Sequence, residues 1–253
     1  MAVTLVDICR YPVKGLNAES LDRATLTPGE GLPHDRRFAI AHGSTQFDRE
    51  TPRWLPKTRF FMLMRDEKLA QLHARFDPDS GRLTIERAGK AVVSADATDL
   101  MGRTLLAEFF SGFLGATARG APKLVEAPGH MFSNVQEKVI SIINLASVRD
   151  LERVVRQPVQ PLRFRANLYV DGAAPWQEFE WVGRDITVGG AGLQVVEPIG
   201  RCAATNVNPE TAERDRNIPL SLKQGFRHTD MGVYAKVTVD GEIAKGDSVT
   251  PPA

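Results

Sequence analysis

Apolar side chains in the first hundred residues come in short runs broken by turn formers. TLVDICRY, Thr4 to Tyr11, has the branched and apolar content of a strand, and YPVKG then turns the chain at Pro12 and Gly15. SLDRATLT alternates, which sets Leu21 and Leu26 on opposite faces of a strand that carries no bulge. RRFAIAH, FFMLM and KLAQLHARF continue the series of short strands. RLTIERAGKAVVSA reads as a hairpin turned at Ala88–Gly89–Lys90.

The period changes at DATDLMGRTLLAEFFSGFLG. Leu106, Phe109, Phe110 and Phe113 fall at i, i+3, i+4 and i+7, one face of a helix that Thr98 or Asp99 caps and Gly115 ends. Helical periodicity explains these aromatics as core. ARGAPKLVEAPGH, rich in Gly, Ala and Pro, marks a boundary between segments 1–120 and 121–253. Beyond it, KVISIIN is a strand candidate. Asn144 then caps a helix through ASVRDLERVV, with Leu145, Val148, Leu151 and Val155 inward. RANLYVDG, GRDITVGG and GLQVVEP read as strands, with VGGAG as a hairpin turn, and IPLSLKQGF as a short helix. The end of the chain gives a strand, a hairpin at Asp240–Gly241, a second strand, and a third after Lys245–Gly246. Many short strands and few helices predict a mainly β, barrel-like architecture with helical additions, an α+β fold.

Composition narrows the partners. A formal net charge of +1 supplies no long-range field for nucleic acid or an anionic membrane, so neither is expected. No apolar run approaches the ~20 residues that span a bilayer. The N-terminus lacks the basic and apolar order of a secretion signal. Two cysteines make no disulfide framework, no C-x-x-C pair and no four-thiolate cluster, which leads to the expectation of a reducing, cytoplasmic setting.

Several kinds of site are missing their signatures. The chain has no phosphate-loop motif, no G-x-G-x-x-G opening a helix, and no metal-ligand spacing among His34, His42, His73, His130 and His228. What remains is basic. Arg163 and Arg165 in PLRFRANLYV point the same way on an extended backbone, and Asn167 continues the row. Such a face suits a flat anionic ligand, because Arg forks bind oxyanions in two-pronged fashion; an exposed face with solvated charges is the plainer alternative. Lys14, Arg36 and Arg37 also sit beside turns. Cys202 follows Arg201 in PIGRCAATNVNP. Packing alone accounts for many free cysteines, while a nearby guanidinium favours the thiolate that binds metals or attacks. Cys9, inside the first strand, reads as core.

YPVKG, HDRRF and FDRETPRWL resemble the N-terminal β-barrel module of MOSC proteins. PLRFRANLYVDG, PIGRCAATNVNPET and GEIAKGDSV resemble the MOSC domain itself, named from the C-terminal part of molybdenum cofactor sulfurase. By layout the chain is similar to the amidoxime-reducing components. The resemblance implies a molybdenum cofactor, Mo-molybdopterin, with Cys202 binding the metal and being the catalytic residue. Arg165 and Asn167, with Arg163 and Arg201 beside them, would hold pterin or phosphate. Lys14 and Arg36 would close over the cofactor from the first segment, and Asn144 falls where the family places small polar contacts. The family also has an association with pyridoxal phosphate. The chain departs from the family pattern at Ala166, often proline, and at Gly15 and Gly200, serine in relatives with reductase activity. Three functions follow: an oxidoreductase of N-hydroxylated small molecules served by a separate electron-donor protein; a carrier or sulfur-transfer protein for the cofactor; and a binding module that has lost it.

Overall fold

A computed structural model describes residues 2–252. In chain order its strands and helices are β1 Val3–Arg10, β2 Val13–Lys14, β3 Glu19–Leu21, β4 Arg23–Leu26, β5 Phe38–Ala41, β6 Leu72–Phe76, β7 Arg82–Arg87, β8 Lys90–Asp96, α1 Leu100–Leu114 and β9 Lys123–Glu126. There follow β10 Ile140–Asn144, α2 Leu145–Val155, β11 Leu168–Asp171, β12 Asp185–Val188, β13 Ala191–Gly200, α3 Ile218–Phe226, β14 Asp230–Val239, β15 Gly241–Ala244 and β16 Ser248–Thr250. The mainly β expectation holds, with three α-helices among the described residues.

Seven strands close on themselves in the order β11-β10-β14-β13-β12-β16-β1, and β1 pairs back with β11. Closure removes the open edges that would otherwise invite aggregation. Alternation fills the barrel: Leu5, Ile8, Ile142, Val170, Leu193, Val195, Val233 and Ala235 form one buried cluster. Outside it, α2 and α3 bury Val148, Leu151, Ile218 and Leu222 against Ile143 and Tyr169. A second core gathers the hairpins β6-β7-β8, α1 and the small sheet β2-β5-β9.

The predicted caps are where the sequence put them. Asp99 accepts from the Gly102 N–H at the start of α1, and Asn144 accepts from the Ala146 N–H at the start of α2. Leu106 and Phe110 are fully buried, while Phe109 and Phe113 pack at the margin of the same cluster. The β7–β8 hairpin turns on Ala88 and Gly89, both at positive φ, with Lys90 already paired to Arg87. The β12–β13 hairpin turns on Gly189–Gly190, as VGGAG implied.

Four local expectations need correction. PLRFRAN is not a strand: Pro161–Phe164 is a 3-10 turn and Arg165 is left-handed (φ 54°, ψ 42°), so residue parity does not align Arg163, Arg165 and Asn167. SLDRATLT breaks at Asp22 into β3 and β4, and the break lets Leu21 and Leu26 meet the same core. FFMLM forms turns with a single bridge, Ala41 to Phe60. After Asp240–Gly241 the chain leaves the sheet, and β15 pairs with β4 rather than folding back on β14. Sheets therefore cross the 120/121 division: β1 joins the barrel, β9 joins β5, and β4 joins β15.

Gly232 shows how tightly the barrel wall is set. It sits at φ +72°, and an added Cβ would lie 2.3 Å from the Ile142 carbonyl oxygen on β10. Gly232→Ala is expected to cost more than about 1 kcal/mol, since strain joins a backbone clash. Thermal unfolding should register it as a drop of at least about 2 °C in a chain of this size.

Candidate functional site

β13 delivers the thiol. Its register against β14 slips three times, the last between Pro198 and Gly200, as suits a proline that has no N–H to give the ladder. The Arg201 N–H then donates to the Thr229 carbonyl at 2.9 Å, and the Cys202 carbonyl accepts from the N–H and hydroxyl of Thr205 at 3.0 and 2.9 Å. Cys202 is thereby held, half-buried, on the wall of a cavity of about 400 Å³. That size suits a small-molecule or cofactor site. Lys14, Arg36 and Lys57 line it from the first segment, and Arg165, Arg201 and Cys202 from the second. Cys9 is buried and plays no part in it.

The wall carries an excess of positive charge. Burial, then the repulsion of Arg36, Arg165 and Lys57, lowers the Lys14 pKa to about 7. Arg165 and Arg201 are also depressed, chiefly by burial, to about 10, which leaves both cationic at neutral pH. Arg36 goes the other way: burial opposes its charge, but the paired carboxylate of Asp35, with Tyr11 and Tyr234 beside it, raises the pKa on balance. Both guanidiniums stand over the Tyr11 ring, Arg165 at 4.4 Å and Arg36 at 5.0 Å from its centroid. A desolvated cation–π contact contributes about 2 kcal/mol, less than the several kcal/mol it costs to bury an ion. Among the described residues Glu197 is the one carboxylate lining the cavity. An anionic ligand would offset that imbalance.

The donors differ in what they have left to offer. Arg165 makes one side-chain hydrogen bond, Nη1 to the Leu16 carbonyl at 2.6 Å, so most of its five N–H groups remain for a ligand. Arg36 gives Nη2 to the Arg165 carbonyl at 2.9 Å. Arg201 spends its guanidinium on the carbonyls of Met231 and Phe164, fixing the loop that carries Cys202. Lys14 donates to the Phe132 and Ser133 carbonyls and to Asn134 Oδ1 at 2.9, 3.3 and 2.8 Å, tying the strap 131–135 over the cavity.

The remaining predicted residues make most of their hydrogen bonds to the surrounding framework. Arg163 borders the cavity but is consumed by Gln160, the Asn206 carbonyl and Asp215, the last at 2.7 Å. Asn167 also lines the cavity: its Oδ1 accepts from the Ser141 N–H and hydroxyl, and its Nδ2 donates to the Cys9 carbonyl at 3.1 Å, which leaves one amide N–H. Asn144 does not line the cavity; besides its cap it donates to the Ala174 carbonyl and to Glu178. Sequence reading missed Lys57, Ser133, Asn134, Tyr11 and Glu197. Only the basic run around Lys57 carried a local signal.

The two glycine departures are unlike. Gly15 sits at φ +93°, where a Cβ would lie 3.2 Å from the Phe61 carbonyl, so the backbone itself favours glycine there. At Gly200 an added Cβ would meet only Asp230 Oδ1 at 3.5 Å. The donor set as a whole fits a phosphate-bearing pterin. Among the described residues no three His, Cys, Asp or Glu side chains gather to hold a metal, so a metal at Cys202 would bring further ligands of its own, as a dithiolene does.

Lys14 and Asn144 give two measurable consequences. Because Lys14 falls to about 7 in the folded chain from 10.5, the unfolded chain binds more protons above neutrality, and its contribution to stability rises with pH. The rise should show from about pH 7 to about pH 8.5; above that, Cys9 and Tyr11, pushed up by burial, work in the opposite direction. Denaturant unfolding of Lys14→Met should lack that slope. Asn144→Ala is expected to lose about 1–3 kcal/mol of stability, yet leave anion affinity in the cavity within about twofold, by calorimetric titration with phosphate.

Comparison with known proteins agrees with this architecture. Residues 127–250 match the MOSC domain and residues 2–120 the MOSC N-terminal beta barrel domain. Molybdenum cofactor sulfurase of Caenorhabditis briggsae is 25% identical over 243 residues, covering 92% of this chain and 33% of that one. Human mitochondrial amidoxime-reducing component 1 is 28% identical over 120 residues, covering 43% of this chain and 35% of that one. The chain thus covers about a third of the length of these relatives. YuaD of Bacillus subtilis superposes with a TM-score of 0.46 at 12% identity, over 98% of this chain and 94% of that one. Between them the two domain matches take in nearly the whole chain, and the protein belongs to the MOSC family, with the MOSC N-terminal β-barrel domain preceding the MOSC domain.

Proposed function

We propose that this protein binds a molybdenum-bearing pterin in the Cys202 cavity and with it reduces N-hydroxylated small molecules. The observation that carries this reading is a half-buried thiol on the wall of a cavity lined by six cationic side chains, of which only Arg36 and Arg163 are ion-paired among the described residues. Cys202 would ligate the metal. Arg165, with free N–H groups, and Arg36 and Lys57 would take the phosphate and the polar edge of the pterin, while Arg201 sets the position of Cys202. The bound metal supplies the two-electron chemistry that cleaves an N–O bond, and the cleavage consumes two protons and releases water. Glu197 and Tyr234, register partners on β13 and β14, are ionisable groups on the same wall from which those protons could pass. The mixed apolar side of the cavity, Met62, Leu63, Met64 and Met131, suits an uncharged organic substrate. A reducing cytoplasm goes with this reading, since both cysteines are free thiols.

A second reading, a cofactor carrier or sulfur-transfer protein, is favoured by one fact: the sulfurase match spans 92% of the chain and the amidoxime-reducing match 43%. Metal analysis and turnover separate the two. Protein made in a host that synthesises molybdopterin is expected to contain stoichiometric molybdenum. Cys202→Ser should lose nearly all of it, and Arg165→Met should lose at least tenfold in retention, since a charge-assisted phosphate contact is worth about 1.5–3 kcal/mol. With reduced methyl viologen the loaded protein should convert benzamidoxime to benzamidine. Metal that passes to an apo-enzyme without any benzamidine formed would establish the carrier instead.

A further inference from the structure

Among the described residues, six cations and a single carboxylate, Glu197, line the Cys202 cavity. Asp35 matches Arg36 and Asp215 matches Arg163. Glu197 makes no ion pair and no side-chain hydrogen bond among the described residues. It stays unpaired although cations share its cavity, because Arg201 is turned to the carbonyls of Met231 and Phe164, and Lys14 to the strap 131–135. An anion seated on the free cations would leave Glu197 as an uncompensated negative charge facing whatever else enters the cavity.

A bulge in the strand aims that carboxylate. Between Val195 and Glu197 the register of β13 advances by two residues while β14 moves by one, from Ala235 to Tyr234. Bulges re-aim side chains and are common next to active sites. Glu197 and Tyr234 thereby face each other across the strand pair, so both side chains leave the sheet on the same side, and both line the cavity. The Tyr234 side chain, half-buried, also makes no hydrogen bond and no ring contact among the described residues. Cys202 follows five residues after Glu197, so at most about 17 Å of chain separates the pair from the thiol. A carboxylate and an aromatic ring, side by side and unspent, are what a flat organic cation needs.

We propose that Glu197 and Tyr234 form a cation subsite that makes the cavity select N-hydroxyguanidines over N-hydroxyureas of the same shape. This rests on the reductase reading. A guanidinium offers two N–H groups on the side away from its N–O bond, and a carboxylate accepts such a fork in the two-pronged, charge-assisted way that it accepts arginine. The face of the Tyr234 ring adds a cation–π attraction for the same flat group. An N-hydroxyurea puts a carbonyl oxygen where the guanidine has an N–H donor, so against Glu197 two acceptors meet and the carboxylate loses a partner. A site built to accept N–H groups rejects the analogue that lacks one more strongly than an apolar wall could. Glu197 is thus the residue that sets specificity, and Tyr234 supports it.

The probes are phenylguanidine and phenylurea, which lack an N–O bond and cannot turn over, titrated calorimetrically into the molybdenum-loaded protein. Phenylguanidine is expected to bind at least tenfold more tightly, the worth of one charge-assisted hydrogen bond. Glu197→Gln keeps the shape and removes the charge, and it should bring the two affinities within about threefold. Tyr234→Leu should narrow the gap by roughly threefold. With reduced methyl viologen, the kcat/KM ratio of N-hydroxy-N′-phenylguanidine to N-hydroxy-N′-phenylurea should fall at least tenfold in Glu197→Gln, through a higher KM for the guanidine. Equal affinity of the unaltered protein for phenylguanidine and phenylurea overturns the subsite, a comparison that needs no variant. So does a preference that survives Glu197→Gln. A variant that loses kcat on both hydroxylated compounds alike, with their ratio kept, gives Glu197 to proton supply and overturns the subsite too. Failure of methyl viologen to drive turnover of either compound overturns the reductase reading instead, a result on which the titration does not depend.

Discussion

The barrel closes through one short strand. β11 pairs in parallel with β10 on one side and antiparallel with β1 on the other, and Asn167 fastens that seam by bridging the Cys9 carbonyl and Ser141. Its amide is buried at 1% exposure, so an unmade bond there would cost about 1–3 kcal/mol. The seam dictates what precedes it. To enter β11 from the 3-10 turn at Pro161–Phe164, the chain must swing through a left-handed residue, and that residue is Arg165. The same backbone step that closes the barrel therefore puts the best-placed anion donor on the cavity wall. Tyr11 and Arg36, from the far side of the seam, meet Arg165 there.

Charge placed this way needs a reason to remain. Arg165 and Arg201 keep their protons at neutral pH although burial lowers both, and Lys14 lies at the margin. Carbonyl oxygens satisfy many of their N–H groups without cancelling their charge. Arg163 is the instructive contrast: more deeply buried than Arg165 or Arg201, it has Asp215 as a full counter-ion and is thereby a strut. Among the described residues six cations and one carboxylate line the same space, and only Arg36 and Arg163 are ion-paired, which leaves the cavity short of negative charge.

Legibility in the sequence followed the range of the interaction. The caps at Asp99 and Asn144, the helical face around Leu106 and Phe110, and the glycine turns at 89 and 189 depend on neighbours within four residues, and each was readable. The partner of β15 and the closure of β1 on β11 depend on residues more than a hundred positions apart, which no local pattern encodes. The arginine row failed for a specific reason. Parity arguments assume extended backbone, and Arg165 is not extended; it reaches the cavity wall by a left-handed turn instead. Spacing alone left Cys202 open between core and site; the motif resemblance gave it weight, and the cavity gives it a physical setting. Asn167, read as the continuation of the arginine row, lines the cavity while its hydrogen bonds fasten the barrel seam; Asn144, drawn toward the site by the resemblance, caps a helix away from it.

The cavity lies between two sequence segments that the sheets interlace, and this makes ligand binding and folding parts of one equilibrium. Lys14 comes from β2, and its ammonium holds carbonyls of the strap 131–135, which belongs to the other segment. Phe132 on that strap donates its N–H to the Arg36 carbonyl, so the strap is fixed to both cations at once. An anion seated against Arg165 and Arg36 would favour the protonated form of Lys14, and protonated Lys14 has all three N–H groups for the strap where the neutral amine has two. Ligand charge, lysine protonation and closure of the strap thus reinforce one another. The cations that are costly to bury are thus the groups through which an anion would draw the two segments together.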